Sequence, residues 1–363
     1  MKTLLVIDSL GSGGAQRQMV NLAIGLSKAG LKVELIYYQK NEFYLNKLLE
    51  NNITVHIPEK STIGFSISFL LKLRKLLKRD FYNVISFLHT PSIYTSISNF
   101  AIKKNNHIVC ERSSSNSTNL SFIDRFLFYV SMLNSKSIVA NSYCETQKIK
   151  KLYGLSNKTK TIWNGYEIDK KSIFKKKKTH NNLLVLGRIS YVKNGINLMK
   201  GLSLFLERNG WCPELRWGGR IDSNSEKVYN EMKKYLLKNK SLSKNWSWLG
   251  EVDNINDLFN ESDALISCSL WEGLPNVVCE SMLQGCNVLA SNVCENPRLL
   301  KNGEYGLLFD PHSPIEICKS IENFYKIGNK KRLKLAKKAM IFAKQNLNID
   351  KMVNSFLELM HKN

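Results

Sequence analysis

The 363-residue sequence predicts an α/β protein made of two doubly wound, parallel-sheet halves, each Rossmann-like, facing a shared cleft. Three observations carry this expectation. Short apolar runs of strand length alternate with helical periods along the chain. A glycine-rich loop follows the first run, and after a charged, aperiodic stretch near the middle the same alternation begins again.

The first strand is "TLLVID". The loop "SLGSGGAQRQ" then opens a helix in which Met19, Leu22, Ala23 and Leu26 keep the 3.6-residue period. "KVELIYY" is the second strand, and "YNVISFL", "HIVCERS", "KSIVANS" and "TKTIWNG" follow as apolar runs ending in polar residues. Ligands of open parallel sheets bind beyond the carboxyl ends of the strands, which places His89, Glu111, Arg112, Asn141 and Asn164 where a ligand is expected. The domain expected over residues 1–170 ends in "KKSIFKKKKTHNN", a stretch without apolar period whose residues 171–182 read as a linker. Over residues 183–345 the plan restarts with "LLVLGRI", the helix "INLMKGLSLFLERNG", and the strands "ELRWGGR", "DALISCS", "CNVLAS" and "YGLLFD".

Charge narrows the partners. The 53 Lys and Arg against 30 Asp and Glu leave +23, a field that draws nucleic acid, anionic lipid or phosphorylated small molecules. Much of the lysine is interspersed with asparagine, as coding bias would also produce, and no nucleic-acid-binding motif accompanies it. One stretch is sharper: in residues 69 to 82, "FLLKLRKLLKRDFY", Leu70, Leu73 and Leu77 recur at helical spacing opposite Lys72, Lys75 and Arg79. This basic amphipathic helix suits an anionic membrane surface, where each basic residue contributes about 1 kcal/mol, and equally a solvated face of a globular domain.

The eight cysteines stand singly with no C-x-x-C, and the six histidines form no H-x-x-x-H, so neither a disulfide framework nor a zinc site is expected. The apolar run before Asp8 is too short for a signal peptide, and no run approaches the roughly 20 residues of a membrane span. A soluble, cytoplasmic chain is the expectation.

The chemistry concentrates in "WEGLPNVVCESMLQG", residues 271 to 285. Pro275 suits the first position of a helix running to about Gln284, with Gly285 as the cap past its end. The first amides of such a helix carry partial positive charge and receive anions or hydroxyls. Asn276 and Glu280 share a face, so Glu272 and Glu280 can line one pocket mouth and accept hydrogen bonds from sugar and ribose hydroxyls. Phosphate between those hydroxyls needs cations. "GRISYVKNG" offers Arg188, a planar fork, and Lys193, a point charge, each hydrogen bond being worth about 1.5–3 kcal/mol. Taken singly these are common surface residues; their joint placement on strand ends of one half gives them weight.

Two alternatives are disfavoured by the same reading. The loop at Gly11 and Gly13 has Gln16 where a dinucleotide site needs a third glycine, and no acid ends the strand "KVELIYYQ". No D-x-D occurs, so no aspartate pair stands ready for a divalent ion, and the expectation is a metal-independent site without cofactor.

These residues resemble those of the retaining glycosyltransferases of family 4, the group 1 class with the GT-B fold. The likeness runs through "GGAQR", "IWNGYEID", "GRISYVKN", the block "WLGEVDNINDLFNESDALISCSLWEGLPNVVCESMLQG" and "NGEYGLLFD", in the family's order. The resemblance implies that Glu272 with the amides of Gly273, Leu274 and Asn276 holds the sugar, that Glu280 holds the ribose, and that Arg188 and Lys193 bind the diphosphate. The backbone at Leu249 and Gly250 would read the base. His89 falls in the region of the family's histidine or acid beside the reacting sugar, and Gly13, Gly14, Gln16, Arg17 and Arg112 would form the acceptor-side loops. A helix over 346–363 would pack back on the N-terminal domain.

By the same likeness the chain would transfer a hexose or N-acetylhexosamine, with retention, from a nucleotide sugar, UDP being favoured over GDP. Its acceptor would be a polyprenyl-diphosphate-linked saccharide of bacterial surface polysaccharide, O-antigen or capsule, at the inner leaflet. The other readings are a nucleotide-sugar epimerase on the same scaffold and a basic nucleic-acid-binding protein.

Overall fold

The computed structural model describes residues 2–58, 64–102, 105–112, 121–168, 180–221 and 225–361. Most of the expected linker therefore lies outside the described residues, as does Ser113 of the "ERS" segment. The chain forms two compact units, one of Met1–Glu167 with Leu347–Asn363 and the other of Ile168–Asn346.

In chain order the first stretch contains β1 (Lys2–Val6), α1 (Gly14–Lys28), β2 (Lys32–Ile36), α2 (Leu45–Glu50), β3 (Thr54–His56), α3 (Ile67–Leu77), β4 (Asn83–Phe87) and α4 (His89–Asn99). It continues through β5 (Asn106–Glu111), α5 (Phe122–Leu133), β6 (Ser137–Ala140), α6 (Tyr143–Tyr153) and β7 (Thr159–Thr161). The second unit holds β8 (Asn182–Leu186), α7 (Gly195–Asn209), β9 (Glu214–Gly218), α8 (Glu226–Lys238), α9 (Lys240–Ser243), β10 (Trp246–Gly250), α10 (Ile255–Asn260) and β11 (Ala264–Ser267). It ends with α11 (Asn276–Leu283), β12 (Asn287–Ser291), α12 (Asn296–Leu299), β13 (Leu307–Phe309), α13 (Pro314–Lys326) and α14 (Gly328–Asn346), after which α15 (Ile349–His361) returns to the first unit.

Both sheets are parallel. The seven-stranded one runs β3-β2-β1-β4-β5-β6-β7 and the six-stranded one β10-β9-β8-β11-β12-β13. The central strands are continuous apolar runs because helices cover both faces. On the first sheet Leu5, Ile85, Phe87 and Cys110 pack under α1 and α15, the latter contributing Met352, Val353, Phe356, Leu359 and Met360. Leu4, Val6, Val84, Val109 and Ile138, pointing the other way, pack under α3, α4, α5 and α6. Serines at 66, 121 and 142 accept from amides in the first turns of α3, α5 and α6, fixing where those helices begin.

Each sheet reverses its strand order once, between β1 and β4 and between β8 and β11, and a crevice opens at such a point beyond the carboxyl ends. The loops that matter for function are therefore those after β1 and β4 in one unit and after β8 and β11 in the other. The edge strands β3 and β10 were not among the expected strands; "TVH" is three residues long and "WSWLG" is only partly buried. Pro275 is the extended residue before α11, with φ −74° and ψ 99°, so that helix begins one residue later than its sequence suggests. The basic helix ends at Leu77, before Arg79, and buries Phe69, Leu73, Leu76 and Leu77 while Leu70 is only half-buried. Among the described residues no helix is long and apolar enough to cross a membrane.

Candidate active site

In the second unit the two loops at the strand-order reversal meet. β8 runs into Gly187, whose φ of +135° turns the chain, and a 3₁₀ turn over Tyr191–Lys193 leads to Asn194 and α7. The loop after β11 carries Ser269 and Glu272 to α11. Leu270 donates its amide to the carbonyl of Val192 at 2.8 Å. Asn194, buried, donates its side-chain amide to the carbonyls of Cys268, at 3.2 Å, and Pro311, at 2.7 Å.

Within that frame Lys193 Nζ lies 2.6 Å from Glu272 Oε1, and Ser269 Oγ donates to the same oxygen at 2.7 Å. The Glu272 amide lies 3.4 Å from Cys294 Sγ, which accepts from it. Both partners of the ion pair keep about a fifth of their side-chain surface in solvent, 21% for Lys193 and 19% for Glu272, so a ligand can reach either charge. Arg188 is exposed on the same turn.

Leu274 and Pro275 are buried while Gly273, Asn276 and Glu280 are half-buried, which holds the turn rigidly with its polar side presented. α11 has no acidic residue in its first turn and no side-chain cap, so the partial positive charge of its amides is not neutralised by its own sequence. Leu249 and Gly250 end β10, and the Gly250 carbonyl accepts from Gly219 at 2.7 Å. Gly219 approaches so closely that a Cβ there would sit 2.0 Å from the Gly187 oxygen.

In the first unit the remaining candidates follow β1, β4 and, for Arg112, β5. His89 opens α4 rather than ending β4, because Leu88 adopts φ +74° and turns the chain into the helix. Its Nε2 is 2.6 Å from Glu111 Oε2 and its ring packs edge-on against Phe128, centroids 4.3 Å apart. Burial alone would lower the imidazole's pKa; the charge and hydrogen bond of Glu111, with Glu145 and Asp124 beyond it, outweigh burial and raise it.

Gly13 is exposed before α1, Gly14 is that helix's first residue, and Gln16 Nε2 donates to Asp8 Oδ1 at 2.9 Å. Burial raises the pKa of Asp8 in spite of that bond and those from Ser9. The Arg17 guanidinium lies 5.9 Å from the Tyr166 ring centre. Arg112, expected among the acceptor-side loops, is buried: it stacks over Phe87 at 4.1 Å and donates to Asn164 Oδ1 at 2.9 Å. The fused apolar and polar contacts make it a brace for the Asn164 turn.

Ser269, Cys294, Asn194 and Asp8 were not singled out by sequence. Ser269 donates to Glu272 three residues on, and Asp8 accepts from Ser9 and, eight residues on, from Gln16, whereas Cys294 and Asn194 meet partners on loops brought together only by strand order.

Two family models match. The description "Glycosyltransferase Family 4" covers residues 12–170 and "Glycosyl transferases group 1" covers residues 167–342. The chain belongs to this glycosyltransferase family. Among curated relatives of this glycosyltransferase, the Campylobacter jejuni GalNAc-alpha-(1->4)-GalNAc-alpha-(1->3)-diNAcBac-PP-undecaprenol alpha-1,4-N-acetyl-D-galactosaminyltransferase is 28% identical over 344 residues, 89% of this chain and 88% of the relative. The Staphylococcus aureus capsular polysaccharide biosynthesis glycosyltransferase CapH is 25% identical over 307 residues, 82% of each chain. Among solved structures, Anabaena Alr3699/HepE, crystallised in complex with UDP, superposes with a TM-score of 0.83 at 17% identity and full coverage, 100%, of both chains. The fold of this glycosyltransferase is GT-B.

Proposed function

We propose that this glycosyltransferase moves a hexose or N-acetylhexosamine, with retention, from a UDP-sugar to a polyprenyl-diphosphate-linked saccharide in the synthesis of a bacterial surface polysaccharide, O-antigen or capsule. The observation that carries the proposal is the meeting of Lys193 with Glu272 at 2.6 Å, a cation and a carboxylate on the two loops of one strand-order reversal. The Campylobacter relative's name specifies an undecaprenol-diphosphate-linked acceptor, and the Anabaena structure was solved with UDP.

In this reading the bond between the sugar's anomeric carbon and the diphosphate oxygen breaks while an acceptor hydroxyl attacks from the same face. The hydroxyl proton passes to the departing diphosphate, and the new glycosidic bond forms at the anomeric carbon. Lys193, Arg188 and the α11 amides take up the charge that grows on the diphosphate, with no divalent ion required. Glu272 and the amides of Gly273, Leu274 and Asn276 hold sugar hydroxyls, Glu280 holds the ribose, and the backbone at Leu249 and Gly250 borders the base. His89 serves the reacting sugar, and the loop of Gly13, Gly14, Gln16 and Arg17 serves the acceptor. The enzyme works at the inner face of the cytoplasmic membrane, held in part by Lys72, Lys75 and Arg79.

The test is thermal stabilisation of the purified protein by a panel of UDP- and GDP-sugars. A true donor at 100 times its Kd adds about 2.7 kcal/mol of stability. Stabilisation by no nucleotide sugar would refute the assignment, and an inverted anomeric configuration in the product would refute retention.

A further inference from the structure

Among the described residues an apolar face of α5 in the first unit is uncovered. Phe122 is 85% exposed, Ile123 67% and Phe126 57%. On the other side of the same helix, Phe128 is buried against the His89 ring, so the exposed side points away from the core. α4 joins α5 to α3, where Ile67 and Leu71 are 68% and 60% exposed. Solvent-exposed apolar side chains this large, on the opening turns of two helices that both pack on α4, mark a binding face rather than the scattered leucine of an ordinary surface.

The charges beside it select the occupant. Lys72, Lys75, Lys78 and Arg79 are exposed on and just beyond α3, and Arg125 is exposed on α5. The only exposed acids on these stretches are Asp80 and Asp124. Apolar side chains rimmed by a cationic excess complement the anionic headgroups and acyl boundary of a bilayer.

We propose that α5 is a membrane-inserting element: Phe122, Ile123 and Phe126 enter the headgroup–acyl boundary of an anionic bilayer while the basic residues of α3 contact its headgroups. The inference rests on the lipid-linked acceptor of the proposed function and adds how the protein reaches it. His89 lies against the buried side of this helix and at the carboxyl end of the sheet. Seating α5 on the bilayer therefore sets the histidine a helix's width from the surface in which a polyprenyl chain is embedded.

The experiment is co-sedimentation of the full chain with phosphatidylcholine vesicles, with and without phosphatidylglycerol, for wild type, Phe122→Ser/Phe126→Ser and Lys72→Ser/Lys75→Ser. Leu237→Ser, which removes an apolar side chain 75% exposed on the other unit, is the control. Wild type and the control are expected to sediment with the anionic vesicles, and the Phe122/Phe126 variant to partition at least about tenfold less. The lysine variant is expected to lose the preference for phosphatidylglycerol. UDP-induced thermal stabilisation is measured on each protein in parallel. If it persists while the phenylalanine variant sediments like wild type, membrane insertion by α5 is overturned and the enzyme assignment stands. Wild type that ignores vesicles but changes from dimer to monomer on the same substitution would also overturn it, showing that a second copy covers the face. Absence of UDP stabilisation in wild type would count against the enzyme reading and leave the sedimentation result to be judged by itself.

Discussion

Lys193→Met tests the site most directly, because methionine keeps the length of the stem and removes only the charge. In the free enzyme the substitution deprives Glu272 of its cation at 2.6 Å, but Ser269 still donates to the same oxygen at 2.7 Å. Removing one partner of a pair that keeps only about a fifth of its side-chain surface in solvent is expected to cost about 1–3 kcal/mol of folding, between the figures for exposed and for buried pairs, and Tm falls by about 2–4 °C per kcal/mol in a unit of this size. The diphosphate loses a charge-assisted hydrogen bond of about 1.5–3 kcal/mol, which weakens UDP binding by roughly ten- to 150-fold. Titration calorimetry with UDP, read beside the melting curve, separates the two quantities. A companion variant, Glu272→Gln, leaves Lys193 free for the diphosphate and is expected to retain UDP affinity while losing affinity for the intact UDP-sugar. A Lys193→Met protein that binds UDP within about threefold of wild type would show that the lysine only braces Glu272, and the argument for a diphosphate site would fail.

Three further outcomes follow from the same geometry. The folded-state pKa of His89 is raised, so its contribution to stability is full below the unfolded value of about 6.5 and is lost as pH rises through the folded value. Melting curves across that range should slope downward for wild type and less so for His89→Gln; equal slopes would remove the His89–Glu111 pairing as the cause. Gly219→Ala places a carbon 2.0 Å from the Gly187 oxygen and 2.5 Å from its carbonyl carbon, both backbone, so β8 and β9 must part at the turn that carries Lys193. A loss of about 3 kcal/mol together with weakened UDP binding is expected, and a stable, tight-binding variant would contradict the packing. Phe356→Ala empties a fully buried position between α15 and the first sheet and should cost about 3–5 kcal/mol, visible as an earlier transition, while UDP affinity of the intact protein below that transition stays unchanged.

The central strands were legible because burial on both faces leaves a mark in composition: "NVISF" and "NLLVL" carry no exposed position. Of the four edge strands, β7 and β13 were read within "TKTIWNG" and "YGLLFD", but β3 and β10 were not. In β3 no residue is fully buried, and in β10 only Trp246 is, so the apolar run that announces a central strand is missing. The start of α11 was read to within a residue because Pro275 marks it, whereas the basic helix, read within residues 69 to 82, begins at Ile67 after its Ser66 cap. Leu88 shows where this stops: a left-handed φ at a leucine is imposed by the chain around it, and it carries His89 from the end of β4 into α4.

Lys193 and Glu272 were legible as residue types on strand ends, and their partners were not, for one topological reason. The two residues are 79 positions apart in the chain, and what makes them neighbours is that β8 lies beside β11 in the sheet. No local pattern encodes that adjacency, so Asn194, which ties the β8 loop to Cys268, is an ordinary polar residue until the strand order is known, whereas Ser269 reaches Glu272 from three residues away on the same loop. The same reasoning distinguishes Arg112 from Arg188. Both follow strands at the carboxyl end of a sheet, yet Arg112 stacks on Phe87 beneath neighbouring elements whereas Arg188 stands exposed at the reversal point. A cation's place relative to the reversal, more than its place at a strand end, separates the exposed arginine from the buried one.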